Sequence, residues 1–460
     1  MSGTRMIGIF IATLLTLPVT TLAAEKLSVA QLVELGKTND DKLRNAIVTN
    51  FDVKELKEGT AWKAQGSEVF FATEGISKPS LFIDGKSGPE MQNVAGATLW
   101  FAIARLEPVG RLHSFYYVTS GLHDWEKGGV KFGGRLDVPA FSPMMYRQEN
   151  VPAGKLSEKI VHTSKIYDGM MNNYWIYVPA QYDTKQAAAL MVFQDGEWYL
   201  DRDGRLPLLN AIDALIEQKK IPVMICVFIN PGDISGAPTF NLVKKYSEEW
   251  HRDLKDSMRS TLYDTVSDRY PRYLRDEILA DVQTKYNIRK DAYSRAIMGA
   301  SSGAICAFNA AWQMPEQFSR VISWIGTFTS LQWKEDSANA DGGQDYPDRV
   351  LREPHRNIRV WLQDGSEDME LATYGSWPLN NIRMANALKL KDYDFHFSFG
   401  KGTHNQAQGA AEFPEEMAWL WRGYDAARTD EKFEMETSEK GKPLFRVAVT
   451  NRDADAGPAN

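Results

Sequence analysis

Apolar residues follow two different spacings in the N-terminal third of the chain. Residues 25–54 carry apolar positions at helical spacing behind the capping-box pattern Ser28–Gln31, which predicts a small helical segment. Residues 55–146 instead hold short runs of aromatic and β-branched residues between turn residues. These runs are Glu68–Ala72, Pro79–Ile83, Thr98–Ala102 and Ser114–Val118. Several short strands at this spacing indicate a small β-sandwich domain.

From residue 155 to residue 425, near-continuous apolar strands alternate with amphipathic helices. The predicted strands are Tyr174–Val178, Ala189–Phe193, Val223–Ile229, Arg295–Met298, Val321–Ile325, Ile358–Leu362 and Phe395–Phe399. The predicted helices include Leu208–Ile216, Tyr273–Val282 and Ala304–Trp312. This alternation indicates an α/β domain with a mostly parallel sheet that is covered on both faces. Residues 426–460 form a polar tail, in which Phe433, Met435, Leu444, Val447 and Val449 either make an edge hairpin or belong to a frayed end.

The first 24 residues have the features of an export signal. Arg5 is the single charged residue, the apolar run Met6–Leu17 follows it, and the segment ends in Leu22–Ala24. This pattern is typical of a cleaved secretory signal peptide, whereas a membrane-spanning helix needs about 20 apolar residues. We therefore expect a periplasmic or secreted protein that has no membrane anchor after cleavage.

Composition narrows the class of protein further. The 460 residues include 53 Lys and Arg against 60 Asp and Glu, which gives a formal charge of −7 and no electrostatic case for nucleic-acid binding. The only two cysteines, Cys226 and Cys306, stand in apolar stretches. We expect both to be buried small hydrophobes without a disulfide bond between them.

A G-x-S-x-G motif is the strongest chemical signal in the chain. Gly299-Ala300-Ser301-Ser302-Gly303 follows a predicted strand and opens a predicted helix, which is the context of a nucleophile elbow. The spacing puts Ser301 at the apex of the turn, with Ser302 as its neighbour within the motif. The helix N-terminus presents backbone N–H groups toward developing negative charge. Ser301 is therefore the candidate nucleophile.

A serine nucleophile requires a base, and chain order in this fold places the acid and then the histidine after the serine. Three of the seven histidines follow Ser301. His355 precedes a strand and His396 lies within one, so neither is expected to act. His404 follows the last predicted strand in a glycine-rich loop, at the sheet edge where the elbow lies. We predict that His404 is the base.

The acid is expected in the loop after the preceding strand. Asp364, Glu367 and Asp368 compete for this role. Asp364 is suited to capping the turn, whereas Asp368 lies far enough into the loop to reach a histidine Nδ1–H. We prefer Asp368, and the other two remain alternatives.

The oxyanion hole should combine the backbone N–H of Ser302 with one from the loop after Ala189–Phe193. The candidates for the second donor are Gly196 and Glu197. Four aromatic residues flank the oxyanion and acid loops and are candidates either for a substrate pocket or for core packing: Trp198, Tyr199, Tyr374 and Trp377. No H-x-H, H-E-x-x-H, cysteine cluster, phosphate loop or dinucleotide fingerprint occurs in the sequence. We therefore predict no catalytic metal and no cofactor.

Several of these segments resemble the putative-esterase branch of the α/β-hydrolases, which includes enterochelin, feruloyl and acetyl-xylan esterases. The resemblance rests on Tyr177–Tyr182, Val192–Gly196, Arg295–Gly303 and Gly402–His404. Gly365–Asp368 resembles the G-x-x-D acid loop of the family, which supports Asp368 as the acid. The sandwich is similar to the early-set immunoglobulin-like modules that precede many of these esterases, through Gly96–Ala104 and Ser114–Val118.

The resemblance implies an α/β-hydrolase catalytic domain preceded by an immunoglobulin-like β-sandwich. Together with the motif, it predicts an exported serine carboxylic-ester hydrolase that works through an acyl-enzyme on a small-molecule or oligosaccharide ester. Acylated carbohydrate, as acetyl or feruloyl esters, is the expected substrate. A trilactone siderophore ester, acyl transfer by the same triad, and a non-catalytic carbohydrate-binding scaffold are the alternatives. The sequence says nothing of the oligomeric state.

Overall fold

The computed structural model describes residues 26–39, 41–119, 126–127, 136–233, 258–331 and 342–447. The predicted signal peptide at residues 1–24 lies outside these ranges. Within them, no helix has both the length and the apolar character needed to cross a membrane.

Three short helices begin the described chain and pack on the sandwich. They are α1 (Val29–Thr38), α2 (Asp41–Asn50) and α3 (Val53–Glu58). Ser28 caps α1 in the predicted capping box with Gln31, which satisfies backbone N–H groups at the helix start. Buried side chains of α1 and α2 contact Phe70 and Phe101 of the first sheet. The helices therefore cover one face of the sandwich.

Two antiparallel sheets make the sandwich. Its strands are β1 (Ala61–Gln65), β2 (Glu68–Glu74), β3 (Ser80–Ile83), β4 (Lys86–Ser87), β5 (Gln92–Asn93), β6 (Leu99–Arg105), β7 (Arg111–Val118), β8 (Glu126–Lys127) and β9 (Leu136–Ala140). One sheet has the order β1-β2-β6-β5, and the other has the order β4-β3-β7-β8 with β9 also paired to β7. Inward-facing residues such as Phe71, Phe115 and Tyr117 form the core between the sheets.

A large mixed sheet carries the second part of the chain. Its strands are β10 (Lys155–Leu156), β11 (Ile160–Thr163), β12 (Met171–Val178), β13 (Ala189–Gln194), β14 (Met224–Ile229), β15 (Arg295–Ala300), β16 (Arg320–Trp324), β17 (Arg359–Glu367) and β20 (Asp394–Thr403). The order is β10-β12-β14-β13-β15-β16-β17-β20, with β11 on β12. Six neighbouring strands of this sheet are parallel, in the order β14-β13-β15-β16-β17-β20. Their carboxyl ends therefore share one edge of the sheet. A separate hairpin joins β18 (Glu370–Leu371) and β19 (Gly375–Ser376).

Helices cover both faces of this sheet. They are α4 (Leu208–Glu217), α5 (Arg259–Tyr263), α6 (Arg269–Tyr273), α7 (Leu279–Lys285), α8 (Ser302–Gln313), α9 (Tyr346–Arg352), α10 (Trp377–Leu390), α11 (Ala407–Leu420) and α12 (Thr437–Lys440). A π-helical turn at Leu274–Ile278 joins α6 to α7 within the region predicted as one helix. The two faces of the sheet bury separate apolar cores, as expected for an α/β fold.

The C-terminal segment corrects one prediction. Neither an edge hairpin nor a frayed end describes the segment up to residue 447, because Phe433 and Met435 are buried and residues 437–440 are helical. Val449 lies outside the described residues. No strand occurs between residues 404 and 447 of the described chain. Cys226 and Cys306 are buried and free, as predicted.

Candidate active site

The predicted elbow forms between β15 and α8. Ser301 has φ +57° and ψ −122°, which is a strained conformation for a side chain other than glycine. A Cβ on Gly299 would lie 2.2 Å from the carbonyl oxygen of Gly303, and one on Gly303 would lie 2.9 Å from Asp195 Oδ2. Gly299 therefore lets the helix approach its own strand closely, and Gly303 lets it approach Gln194 and Asp195 at the end of β13.

His404 lies immediately after β20, beside the elbow. The Ser301 Oγ is 2.8 Å from His404 Nε2, although the two residues are 103 positions apart in the chain. Parallel β15 and β20 end at the same sheet edge, and this shared edge brings the two loops together. The Ser301 Oγ also lies 3.3 Å from Thr327 Oγ1.

Asp368 contacts the other ring nitrogen of the histidine. His404 Nδ1 is 2.5 Å from Asp368 Oδ1, and the same oxygen accepts the backbone N–H of Met369 at 2.5 Å. The Asp368 carboxylate is fully buried. When Nδ1–H donates to Asp368, Nε2 is left free to accept the Ser301 hydroxyl proton.

The two alternative acids are placed differently. Asp364 is buried within β17, three residues before the strand ends, and its Oδ1 accepts the backbone N–H of Gly365 at 2.8 Å, which is the predicted capping role. Burial and the neighbouring Asp368 raise the pKa of Asp364 well above its ordinary value. Glu367 pairs with Thr403 at the end of the ladder between β17 and β20. Neither side chain has a hydrogen bond to His404 within the described chain.

The other late histidines are structural. His396 stacks on Trp361 with ring centroids 4.0 Å apart, and burial lowers its pKa. His355 is exposed and stacks on Tyr393 at 4.0 Å. Neither has a hydrogen bond to Ser301 or Asp368 in the part of the chain that is seen.

Of the three backbone N–H groups predicted as oxyanion donors, two have no acceptor within the described protein and one is already hydrogen-bonded. Within the described residues, the backbone N–H groups of Gly196 and Ser302 have no protein acceptor. The N–H of Glu197 donates to Asn230 Oδ1 at 3.0 Å, while the Asn230 amide donates to the Glu197 carboxylate at 2.9 Å. This reciprocal pair corrects the prediction for Glu197, whose N–H is not open to a substrate.

An ion pair between the buried Asp195 and the partly exposed Arg259 supports the oxyanion loop. Asp195 has φ +53° and accepts two hydrogen bonds from Arg259, at 2.8 and 2.7 Å. Because a bidentate pair fixes geometry as well as charge, it holds Asp195 in its left-handed conformation. The next residue, Gly196, has no room for a Cβ, which would lie 2.4 Å from the backbone of Phe228.

Two of the four aromatic candidates belong to the interior. Tyr199 is fully buried among Phe193 and Trp324, so it packs the core and does not line a substrate pocket. Trp377 is 2 % exposed and starts α10. Its ring meets the His404 ring at 76° with centroids 5.6 Å apart, so the expected pocket role is corrected to support of the histidine.

The remaining two aromatic residues are open to solvent. Trp198 is 50 % exposed beside the oxyanion loop. Tyr374 is half-buried, and its carbonyl oxygen accepts the backbone N–H of Ser330 at 3.1 Å. Trp198 therefore presents the larger free aromatic surface.

Thr327 is a site residue that the sequence reasoning missed. Its hydroxyl accepts Trp377 Nε1–H at 3.2 Å and lies beside Ser301 Oγ, so it links the tryptophan to the serine. The feature of the sequence that could have identified it is its position just after β16, at the sheet edge where the elbow lies. Within the described ranges, no group of three or more His, Cys, Asp or Glu side chains could hold a metal ion.

Known proteins resemble this chain in sequence and in fold. The family model described as putative esterase matches residues 169–420, more than half of the chain. The uncharacterized protein YbbA of Bacillus subtilis is 20% identical over 255 residues, which are 54% of this chain and 92% of YbbA.

Two solved structures illustrate the likeness in fold. The enterobactin esterase of Shigella flexneri, solved in the presence of enterobactin, covers 84% of this chain and 99% of its own, with 14% identity and a TM-score of 0.50. A ferulic acid esterase of Anaeromyces mucronatus, solved with ferulic acid, covers 60% and 94%, with 15% identity and a TM-score of 0.43. The first structure shares the fold over 84% of this chain.

Proposed function

The chain belongs to the putative esterase family and is a carboxylic ester hydrolase, and we propose that it hydrolyses esters with a Ser301–His404–Asp368 triad. The carrying observation is the continuous contact from Ser301 Oγ to His404 Nε2 at 2.8 Å and from His404 Nδ1 to Asp368 Oδ1 at 2.5 Å. This is the arrangement that nucleophilic catalysis by a serine requires.

In the acylation step, Ser301 Oγ attacks the ester carbonyl carbon while His404 Nε2 takes the hydroxyl proton. The carbonyl oxygen becomes an oxyanion, and the N–H groups of Ser302 and Gly196 are the proposed donors to it. Asp368 stabilises the imidazolium and fixes its orientation. The C–O bond of the ester then breaks, and the departing alcohol takes the proton from His404.

In the deacylation step, a water molecule replaces the alcohol. His404 removes a proton from the water as its oxygen attacks the Ser301 ester, and the same proton returns to Ser301 Oγ when the acid product leaves. The free enzyme is then restored. A sugar hydroxyl in place of water would make the reaction an acyl transfer, which product analysis in the presence of a sugar acceptor distinguishes.

A serine-directed fluorophosphonate probe tests the triad. It should label Ser301 in the purified protein, and Ser301→Ala should abolish labelling and lower kcat on any cleaved ester by about 10⁴–10⁶. Ser302→Ala should still be labelled, because alanine keeps the backbone N–H. His404→Ala should cost about as much as Ser301→Ala, and the double variant little more than either. A folded Ser301→Ala protein with near-native turnover would instead favour a non-catalytic binding scaffold.

For the substrate, we propose acylated carbohydrate, as acetyl or feruloyl esters. The half-exposed Trp198 beside the oxyanion loop supports this class, since an open indole face stacks well on a sugar or aryl ring. The second candidate is a trilactone siderophore, which is favoured by a shared fold with a solved enterobactin esterase over 84% of the chain. Release of ferulate or acetate from polysaccharide supports the first class, and cleavage of a trilactone without polysaccharide deacylation supports the second.

We also propose that the protein is exported and that residues 1–24 are removed. The supporting observation is the charge and apolar pattern of that segment. Intact mass of the exported protein should correspond to a chain that starts near Ala24 or Glu25. A mass that still includes Met1–Leu22 would contradict this proposal.

A further inference from the structure

One carboxylate of the sandwich reaches the loop that carries His404. Asp137 Oδ2, on β9, accepts the backbone N–H of Thr403 at 2.9 Å and the Thr403 hydroxyl at 2.7 Å. The same oxygen accepts the side-chain amide of Asn405 at 2.7 Å. Thr403 and Asn405 are the two chain neighbours of His404, so one atom of the sandwich holds both sides of the histidine.

Burial makes the Asp137 carboxylate depend on its hydrogen bonds. The residue is 8 % exposed, and its second oxygen, Oδ1, has no protein partner in the described residues. Nor does any Lys or Arg of the described chain form an ion pair with it. A buried carboxylate without a cation depends on its hydrogen bonds for compensation, and three of them converge on one oxygen here. Within the described residues, the side-chain hydrogen bonds of Asp137 all go to the histidine loop.

The loop itself is built around this oxygen. The Asn405 amide also donates to Thr403 Oγ1 at 2.8 Å, and Asn405 Oδ1 accepts the N–H of Ala407 at the start of α11. Asp137, Thr403 and Asn405 thus form a closed network around the backbone of His404. Loss of Asp137 would leave the buried N–H and hydroxyl of Thr403 without this acceptor and would remove one of the two acceptors of the half-buried Asn405 amide.

We propose that Asp137 is a positioning residue, through which the sandwich fixes the backbone of His404 and so completes the active site of the catalytic domain. This inference rests on the proposed role of His404 in ester hydrolysis. It assigns the sandwich a part in catalysis that does not require it to bind any ligand.

A second contact across the same interface provides a matched control. Arg111 of β7 forms an ion pair with Glu415 of α11 at 2.7 Å, with side chains 47% and 52% exposed. It joins the sandwich to the helix that follows the histidine loop but does not contact the loop. Arg111→Ala therefore removes one contact across this interface and leaves the Asp137 network in place.

The experiment compares Asp137→Ala, Asp137→Asn and Arg111→Ala in the full mature protein, with kcat and KM on one cleaved ester. We expect Asp137→Ala to lower kcat by about 10- to 100-fold, the cost of a misplaced catalytic group, with little change in KM. Asp137→Asn, which keeps an acceptor oxygen, should recover much of the loss. Arg111→Ala should stay within about twofold of the wild type, because exposed pairs contribute little.

The NMR signal of the His404 Nδ1 proton gives a readout that needs no turnover. It should be sharp in the wild type and in Arg111→Ala, and broadened or shifted in Asp137→Ala. If Asp137→Ala does not fold, Asp137→Asn alone decides, with an intermediate loss of kcat expected. An unchanged kcat and histidine signal in a folded Asp137→Ala protein, or equal losses for Asp137→Ala and Arg111→Ala, would overturn the inference. A wild-type protein that cleaves no ester but shows the histidine difference would count against the proposed function alone.

Discussion

Asp364 and Asp368 lie within hydrogen-bonding reach of each other behind His404, yet their environments give them different tasks. Only Asp368 contacts the histidine, and only Asp364 caps the turn at Gly365. The outer oxygens of both carboxyl groups, Oδ2, are buried and have no other protein donor in the described chain. Because two ionised carboxylates this close repel each other, we expect a proton on Asp364 that donates to Asp368.

This difference predicts opposite outcomes for the same substitution at the two positions. Asp368→Asn should lower kcat by about 10⁴, because an amide favours the wrong tautomer of His404. Asp364→Asn should keep most of kcat, since its amide N–H replaces the acid proton toward Asp368. Initial rates on one ester and thermal unfolding of both variants test this. A larger loss of kcat in a folded Asp364→Asn protein would make Asp364 the catalytic acid.

The raised pKa of Asp364 also fixes how the control variant depends on pH. Because the pKa of Asp364 is raised in the folded protein, the folded protein releases this proton at a higher pH than the unfolded chain, whose ordinary carboxyl pKa is about 4. The unfolded state therefore binds fewer protons, and the free energy of unfolding falls as pH rises above that value. Asp364→Asn does not ionise. Its stability relative to wild type should rise with pH by at most about 1.4 kcal/mol per pH unit, measured by urea unfolding from pH 4 to 8.

At the residue scale, sequence reasoning finds groups with a motif or a chain order and misses those without one. Ser301 stands in a motif, and His404 follows from the order of the triad. Thr327 carries no motif, because a threonine after a strand is common in any α/β protein. The occupied N–H of Glu197 was equally hidden, since its partner, Asn230, lies on a different strand end.

At the scale of elements, the elbow depends on a close approach of α8 to β15 that only glycine permits. Gly299→Ala would place a Cβ 2.2 Å from the carbonyl oxygen of Gly303, a backbone atom that has no freedom to move away. We expect a loss of about 2 kcal/mol or more in the free energy of unfolding, together with lower kcat as Ser301 shifts. Urea unfolding and initial rates provide the measurement.

Gly441 offers the matched control for this substitution. It follows α12 with φ −83°, and a Cβ there would meet nothing within 4 Å. Gly441→Ala should therefore leave stability unchanged or raise it by about 0.5 kcal/mol through a less flexible unfolded chain. Equal losses for Gly299→Ala and Gly441→Ala would mean that the elbow is not the source of the effect.

The predicted elements are confirmed where the hydrophobic pattern alone decides them. β13 to β16 coincide closely with the predicted strands, because buried parallel strands are nearly continuous apolar runs. β17 instead extends to Glu367, five residues past its predicted end. Trp377 was a candidate for the substrate pocket because it stands near the acid loop in the sequence. The helix that it begins, which places its side chain in the interior, was not predicted. The cap Ser376 and Pro378 at the start of α10 were the available signal for a helix there. Tyr199 likewise belongs to a helical turn that faces inward.

At the scale of the whole molecule, contacts between distant segments complete both ends of the catalytic sheet. Asp137 and Thr403 are 266 positions apart, and their hydrogen bond crosses from sandwich to catalytic domain. The α/β class and the preceding sandwich were predictable from periodicity. The docking was not, since it depends on side chains that carry no local pattern. The packing of the C-terminal segment was not predictable either, because its sequence has the composition of a polar tail.

That segment closes over two buried arginines at the end of the sheet away from the elbow. Arg320 starts β16 and Arg359 starts β17, whereas Ser301 follows the opposite end of β15. Phe433 covers both guanidinium groups, at 4.9 Å from Arg320 and 4.4 Å from Arg359. Burial lowers the pKa of Arg320 to about 9, and its nitrogens have no hydrogen-bond partner in the described chain. The aromatic rings around Arg320 are therefore its main compensation.

Phe433→Ala should consequently destabilise the whole catalytic domain while leaving the chemistry intact. Removal of a buried phenylalanine costs about 3 kcal/mol or more, and here it also removes a ring from two cations. Phe433→Leu should recover part of the loss, because it restores apolar volume without the ring. Val447→Ala, at a side chain that is 53% exposed, is the control and should change the free energy of unfolding by about 0.5 kcal/mol at most. Urea unfolding gives these differences, and kcat of the folded variants should match the wild type because the elbow lies at the other sheet edge. A Phe433→Ala protein as stable as Val447→Ala would show that the segment does not hold the arginines in place.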